Sequence, residues 1–162
     1  MQGMTSDERA VLERAAAEPM LDQVMTWSAI NSGSRNLDGL AAMAAIYTDA
    51  FAALPGELAL KEPSPVEAMQ ADGSLKPVKH GRNLHVTVRP DAPVQLLFTG
   101  HMDTVFGVDH PFQDVTWREK HKVLGGPGVA DMKGGLAVML AALQAVETTP
   151  MAGRIGYEVV VN

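Results

Sequence analysis

The 162-residue chain has no cysteine, which excludes disulfides, thiolate metal sites and a cysteine nucleophile but leaves the compartment open. It has no run of basic residues either. Thirteen Lys and Arg lie scattered against 19 Asp and Glu, for a net charge of −6. Nothing in that pattern could pair with successive phosphates, so no nucleic-acid partner is expected. Long apolar runs are missing too. The strongest, Leu136 to Leu143, falls far short of the ~20 residues that span a bilayer, and no membrane partner is expected. The N-terminal MQGMTSDERA lacks an apolar core and does not read as a signal peptide as written. A cytoplasmic location follows as the expectation, with a removed leader left open. There is no internal repeat, linker or low-complexity block.

What is present is the balance of a soluble, core-forming protein: 46% hydrophobic and 20% charged residues. That much apolar surface excludes a disordered chain. Thr5-Ser6-Asp7-Glu8 has the form of a capping box, so a helix is expected from there to Pro19. A second helical stretch carries Leu21, Val24, Met25 and Ile30, and Asn31-Ser32-Gly33-Ser34 breaks it with turn chemistry. Helical spacing returns between Asp38 and Leu54 and ends at Pro55-Gly56. Leu84 to Arg89 alternates like a half-buried strand. Val94 to Phe98 is nearly continuously apolar, like a strand covered on both faces. A helix over Lys133 to Glu147 and a strand over Ile155 to Val161 complete an α/β pattern with a central, at least partly parallel sheet.

Two segments could carry chemistry. In Leu96-Leu97-Phe98-Thr99-Gly100-His101-Met102-Asp103, a strand ends and His101 and Asp103 follow at once. Ligands gather at the carboxyl ends of strands in open α/β sheets. Residues two apart in extended backbone point the same way. Asp103 could therefore accept a hydrogen bond from one imidazole nitrogen while the other binds a metal. A polar turn, with His101 capping backbone groups, is the plainer alternative. The second segment, Gly125-Gly126-Pro127-Gly128-Val129-Ala130-Asp131-Met132-Lys133-Gly134-Gly135, opens onto a helix. It is not a P-loop, because Gly rather than Ser or Thr follows Lys133. A carboxylate in such a loop would repel phosphate and attract a cation, or Asp131 could simply cap the helix. Together the segments offer one imidazole and two carboxylates, only part of what a zinc site with three or four ligands would need.

These two motifs resemble the dinuclear zinc exopeptidases and amidohydrolases, a group that includes glutamate carboxypeptidases, acetylornithine deacetylases, succinyl-diaminopimelate desuccinylases, aminoacylases and dipeptidases. Ile30-Asn31-Ser32-Gly33-Ser34 and Asn36-Leu37-Asp38-Gly39 are also similar to the family's N-terminal region. His-Met-Asp-Thr-Val with Gly-Pro-Gly is most similar to the glutamate carboxypeptidase branch. The resemblance implies an α/β, three-layer domain with a mixed, largely parallel central sheet. It implies His101 as ligand to one zinc, Asp103 as the partner orienting that imidazole in the catalytic site, and Asp131 as the carboxylate bridging two zincs, with a cis Asp131–Met132 peptide. The implied reaction is amide hydrolysis, in which zinc acidifies a water and polarises the scissile carbonyl and a Glu base carries the proton.

On the same resemblance, residues 1–162 correspond to the N-terminal part of a zinc-binding catalytic domain. The general base, the remaining ligands and a lid and dimerisation domain would lie beyond Asn162. The expected substrate is a small peptide, or an N-acyl amino acid for a deacylase of the same family, and the full-length protein would be a homodimer. A noncatalytic short paralogue acting as an interaction module is the alternative, and a stop codon directly after Asn162 would favour it. The Met-rich positions Met20, Met25, Met43 and Met139 read as core filling. His80, His85 and His121 read as surface residues, and His110 as a possible border of the substrate pocket. With only His101 and Asp131 as ligands, metal analysis of the purified chain should show no tight, stoichiometric zinc. One or more tightly held ions per chain would contradict this.

Overall fold

The capping box forms as the sequence predicts. Thr5 Oγ1 accepts from the Glu8 N–H at 3.2 Å, and the Thr5 N–H donates to Glu8 Oε2 at 2.8 Å. These bonds satisfy two of the free donors at the start of helix α1, Ser6–Ala17. The computed structural model describes residues 3–162. Helices α2 (Met20–Ser28) and α3 (Leu37–Phe51) follow, the latter capped by Asn36, whose side chain accepts from the Gly39 N–H. Gly39 is needed for closeness: a Cβ there would lie 1.9 Å from the Asn31 carbonyl oxygen.

The strands are β1 (Glu57–Lys61), β2 (Val66–Met69), β3 (Leu75–Val78), β4 (Asn83–Val88), β5 (Val94–Gly100), β6 (Thr116–Arg118), β7 (Val123–Gly125) and β8 (Ile155–Val161). A π-helical turn, Val129–Lys133, leads into helix α4, Gly134–Glu147. The main sheet has the order β1-β4-β8-β5, while β2–β3 and β6–β7 form separate two-stranded ribbons. The sheet is mixed, as expected. Only the β5–β8 pair is parallel, however, because α4 provides the single crossover; β1–β4 and β4–β8 are antiparallel.

Alternation sorts the sheet into two unlike faces. Leu84, Val86 and Val88 of β4 lie beside Val161, Val159 and Tyr157 of β8, and all six are buried. On them pack Met43, Tyr47 and Phe51 of α3, Leu136, Leu140 and Leu143 of α4, and Trp27 of α2. Each such fully buried side chain contributes on the order of 1.5–3 kcal/mol. The opposite face carries His85, Thr87, Gln95, Leu97, Thr99 and Glu158, and no helix of the described residues covers it. Val94–Phe98 is therefore not a strand covered on both sides: β5 is an edge, and Leu97 is 65% exposed. Its apolar run could not show which neighbours were available.

Val129–Glu147 is long and apolar enough to cross a membrane by length and composition alone. Here Leu136, Ala137, Leu140 and Ala141 of that stretch are buried in the core. Asp131 and Met132 also depart from helical backbone angles.

Tyr47 is fully buried, edge-on to Trp27 at 4.9 Å, and its hydroxyl finds no hydrogen-bond partner among the described residues. Burial holds its phenol above the ordinary range. The unfolded chain ionises Tyr47 near pH ~10 and the folded chain does not, so this group removes stability as pH rises above ~10. Tyr47→Phe should raise stability by about 1 kcal/mol in urea unfolding at neutral pH. It should also flatten the alkaline loss, whereas a destabilised variant with the wild-type alkaline slope would contradict the assignment.

Candidate metal-binding active site

His101 follows directly on β5, at the carboxyl end of the one parallel pair. Its place there is fixed by backbone bonds at the end of β8: the Asn162 N–H donates to the Gly100 carbonyl at 3.0 Å, and the Met102 N–H to the Asn162 carbonyl at 2.6 Å. Beneath it, Met102 is buried, and the His101 N–H contacts the Met132 sulfur at 3.4 Å.

The imidazole is held at both nitrogens. Nδ1 lies 3.0 Å from the Asp103 carbonyl oxygen and 3.1 Å from Asp103 Oδ1, and Nε2 lies 3.0 Å from Asp131 Oδ1. The structure thus brings His101, Asp103 and Asp131 together, with the two carboxylates on opposite edges of the ring. Partial burial alone would lower the His101 pKa. The hydrogen bond to Asp131 and the contacts with Asp103 outweigh it and hold the pKa above the ordinary value.

Asp131 reaches this position on the π-helical turn ahead of α4, and the Asp131–Met132 peptide is cis. The turn is anchored from below by Lys133, which is buried. Its ammonium donates to the Trp27 carbonyl at 3.0 Å and the Ile30 carbonyl at 2.9 Å, at the end of α2. Burial pushes this lysine down to about 8. Gly128 has φ +75, and a Cβ there would come within 2.9 Å of the Lys133 stem, so glycine serves both conformation and fit.

The segment after α2 reaches the other loop. The Ser32 hydroxyl donates to the Met102 carbonyl at 2.8 Å, the Thr104 N–H to the Ser32 carbonyl at 2.8 Å, and the Ser34 N–H to the Thr104 carbonyl at 3.0 Å. Ser34 Oγ donates to Asp103 Oδ2. Asn31 donates to Gln113 Oε1 at 2.7 Å. In the sequence Asn31–Ser34 shows only turn chemistry and a family-like pattern, and Lys133 only a helix start that does not fit a phosphate loop. Their partners lie about 70 to 106 residues away in the chain, beyond any local signal.

Other histidines stand apart from this site. His80 and His121 are exposed, as expected. His85 is not a free surface residue: it is half-buried on the open sheet face, with Nδ1 3.0 Å from Glu158 Oε1 across the β4–β8 pair. His110 stacks on Phe106 with centroids 4.9 Å apart, and Phe106 is the one of the two that lines the cavity over the site.

Whether these residues suit a metal can be judged from the contact itself. With the Nδ1 proton directed at Asp103, Nε2 presents a lone pair to a carboxylate oxygen 3.0 Å away. Two acceptors so placed need a cation or proton between them. Ligands on one tetrahedral zinc, at bond lengths of about 2.0–2.2 Å, lie roughly 3.4 Å apart, within a few tenths of an ångström of the observed separation. One imidazole and one carboxylate also form a donor set suited to zinc. Among the described residues no three His, Asp or Glu side chains converge on a single point, so His101 and Asp131 do not by themselves make up a complete metal site.

Comparison with known proteins bears on that partial site. Residues 97–157 match the model of Peptidase family M20/M25/M40. The matched stretch holds His101, Asp103, Asp131 and Lys133. A search of curated proteins finds no match. Among solved structures, human carnosine dipeptidase 1 is similar at 18% identity and a TM-score of 0.70, over 98% of this chain and 35% of that one. An M20 family metallo-carboxypeptidase from Sulfolobus solfataricus is similar at 15% identity and a TM-score of 0.64, over 90% of this chain and 30% of that one. A Zn-dependent exopeptidase from Parabacteroides distasonis follows at 16% identity and a TM-score of 0.57, over 91% and 45%. These likenesses establish a shared fold. The chain spans about a third of the length of the first two.

Lys133→Met should remove the ammonium donor from both carbonyls, leaving Trp27 with only its Ile30 N–H bond, and lower stability by about 2–3 kcal/mol in urea unfolding. A loss below about 0.5 kcal/mol would show that the ammonium contributes little to holding the turn.

Proposed function

We propose that this chain carries part of the active site of a zinc-dependent amide-bond hydrolase of the peptidase class. His101 and Asp131 are two of its metal ligands, and Asp103 orients the imidazole. The observation that carries the reading is the His101 Nε2–Asp131 Oδ1 contact, two metal-type ligands 3.0 Å apart at the carboxyl end of a parallel strand pair. The peptidase family match over the same residues supports it. The Zn-dependent and metallo-carboxypeptidase neighbours favour zinc, and the His-Met-Asp-Thr-Val and Gly-Pro-Gly motifs favour a carboxypeptidase-like range within that class.

Bound zinc supplies Lewis-acid polarisation of a carbonyl and lowers the pKa of water. The chain's own residues provide the setting. Asp103 accepts from Nδ1, which leaves Nε2 free as a ligand and raises its basicity. Val105, Phe106, Gly126, Gly128 and Ala130 form apolar walls of a cavity of about 280 Å³ over the ligands. The cavity stays open on the side of Asp131, whose side chain is 88% exposed, so a substrate could approach the ligands from there. On this reading the substrates are small peptides or N-acyl amino acids, and residues 1–162 form the first portion of a larger catalytic domain.

Calorimetric titration of the chain with zinc tests the ligand assignment. Wild type should bind weakly but measurably. His101→Ala and Asp131→Ala should each weaken binding by at least about tenfold, and Asp103→Ala by about tenfold or more. Zinc affinity unchanged in both ligand variants would remove the proposal and favour a noncatalytic module.

A further inference from the structure

The Asp103 carboxylate sits between two cavities. One is the cavity over His101 and Asp131. The other, of about 380 Å³, is lined by Ser34, Arg35, His80, Asn83 and Asp103 itself. Its side chain is about one-third exposed, so packing alone does not fix its plane. Two contacts do. Oδ1 faces His101 Nδ1 at 3.1 Å, and Oδ2 accepts a hydrogen bond from the Ser34 hydroxyl, whose other acceptor in reach is the Thr104 carbonyl at 3.2 Å. Ser34 is itself tied to the same strand end by its N–H bond to the Thr104 carbonyl and by the parallel bridge between Gly33 and Thr104.

We propose that Ser34 is a positioning residue: its hydroxyl locks the Asp103 carboxylate so that Oδ1 stays on His101 Nδ1 and Nε2 stays aimed at Asp131. A carboxylate hydrogen-bonded on one oxygen can still rotate about its Cβ–Cγ bond, and one held on both oxygens cannot. Without the Ser34 hydroxyl, Oδ2 opens onto the second cavity, where Arg35 offers it an alternative cation. The imidazole then keeps only the Asp103 main-chain oxygen as a partner for Nδ1, at 3.0 Å. Which ring nitrogen carries the proton depends on the hydrogen bond the other makes. Losing the carboxylate therefore lets the proton move to Nε2, where Asp131 accepts it and the ligand position is lost.

The inference rests on the proposed metal site only for its consequence; the geometry it claims exists in the metal-free chain. Two readouts separate them. Long-range proton–nitrogen NMR of the metal-free chain, with neutral imidazole, reports which ring nitrogen of His101 bears the proton. Zinc titration of the same samples reports affinity. Wild type should show the Nδ1–H form predominantly. Ser34→Ala should show a mixture of both forms and about tenfold weaker zinc binding, with the remaining amide spectrum unchanged. Ser34→Thr should restore both, since the hydroxyl is kept and the second cavity has room for a methyl group. Wild-type ring signals in Ser34→Ala overturn the proposal, even if affinity falls, because Ser34 would then act by another route. Failure of Ser34→Thr to restore the ring signals overturns it as well. If wild type binds no zinc, the metal reading fails, and the ring signals alone still decide the role of Ser34.

Discussion

A neutral imidazole cannot donate to two acceptors at once, and His101 faces one on each edge. That constraint organises the top of this molecule. Asp103 and Asp131 come from different loops, 28 residues apart in sequence, and both have to be held against a ring that can satisfy only one of them without a cation. Each loop is accordingly fastened to a third segment, the end of α2 and the six residues after it. Lys133 ties the Asp131 turn to the Trp27 and Ile30 carbonyls, and Ser32 and Ser34 tie the Asp103 loop to the same stretch. The two halves meet directly at His101, which reaches Asp131 and the Met132 sulfur, and are also fastened to a common support.

That support uses buried polar groups where apolar ones would cost less to bury. A lysine loses solvation when it is enclosed, and the lowered pKa of Lys133 shows the penalty. Its two carbonyl acceptors offset part of it, and the ammonium in turn gives the Ile30 carbonyl a donor and the Trp27 carbonyl a second one beside the Ile30 N–H. An apolar residue would fill the space without fixing a direction. The distinction matters if, as proposed, the turn has to hold one carboxylate beside the His101 ring.

Local chemistry was legible in the sequence, and long-range chemistry was not. The capping box at Thr5–Glu8, the alternation of Leu84–Val88 and the helix over Lys133–Glu147 depend on neighbours within a few residues, and all three appear in place. The juxtaposition of His101 and Asp103 could be read from the two-residue period of extended chain. Val94–Phe98 was misjudged because an apolar run looks the same whether both faces are covered or one strand edge is open. β1 and the β2–β3 and β6–β7 ribbons went unseen in polar, turn-rich sequence. His85 looked like a surface residue because its partner, Glu158, is 73 residues away. Ser32, Ser34 and Lys133 share that difficulty: their positions mark a turn and a helix start, and only the closed fold shows what their polar atoms hold.

The composition of the cavity over the site gives a division of labour. Its ionisable wall groups are His101, Asp103 and Asp131, and among the described residues no lysine or arginine lines it. A metal held by such ligands would concentrate positive charge at one point. A substrate carboxylate entering from this side would meet two acidic residues before any cation other than the metal. On the proposed reading, then, these walls favour presenting an amide carbonyl to the metal and disfavour a second negative charge beside it. Recognition of a terminal carboxylate would have to come from groups across the cavity opening. On that same proposal, the loops after β5 and before α4 would supply the metal-facing part of the site, and the net charge of the chain has little bearing on what that part selects.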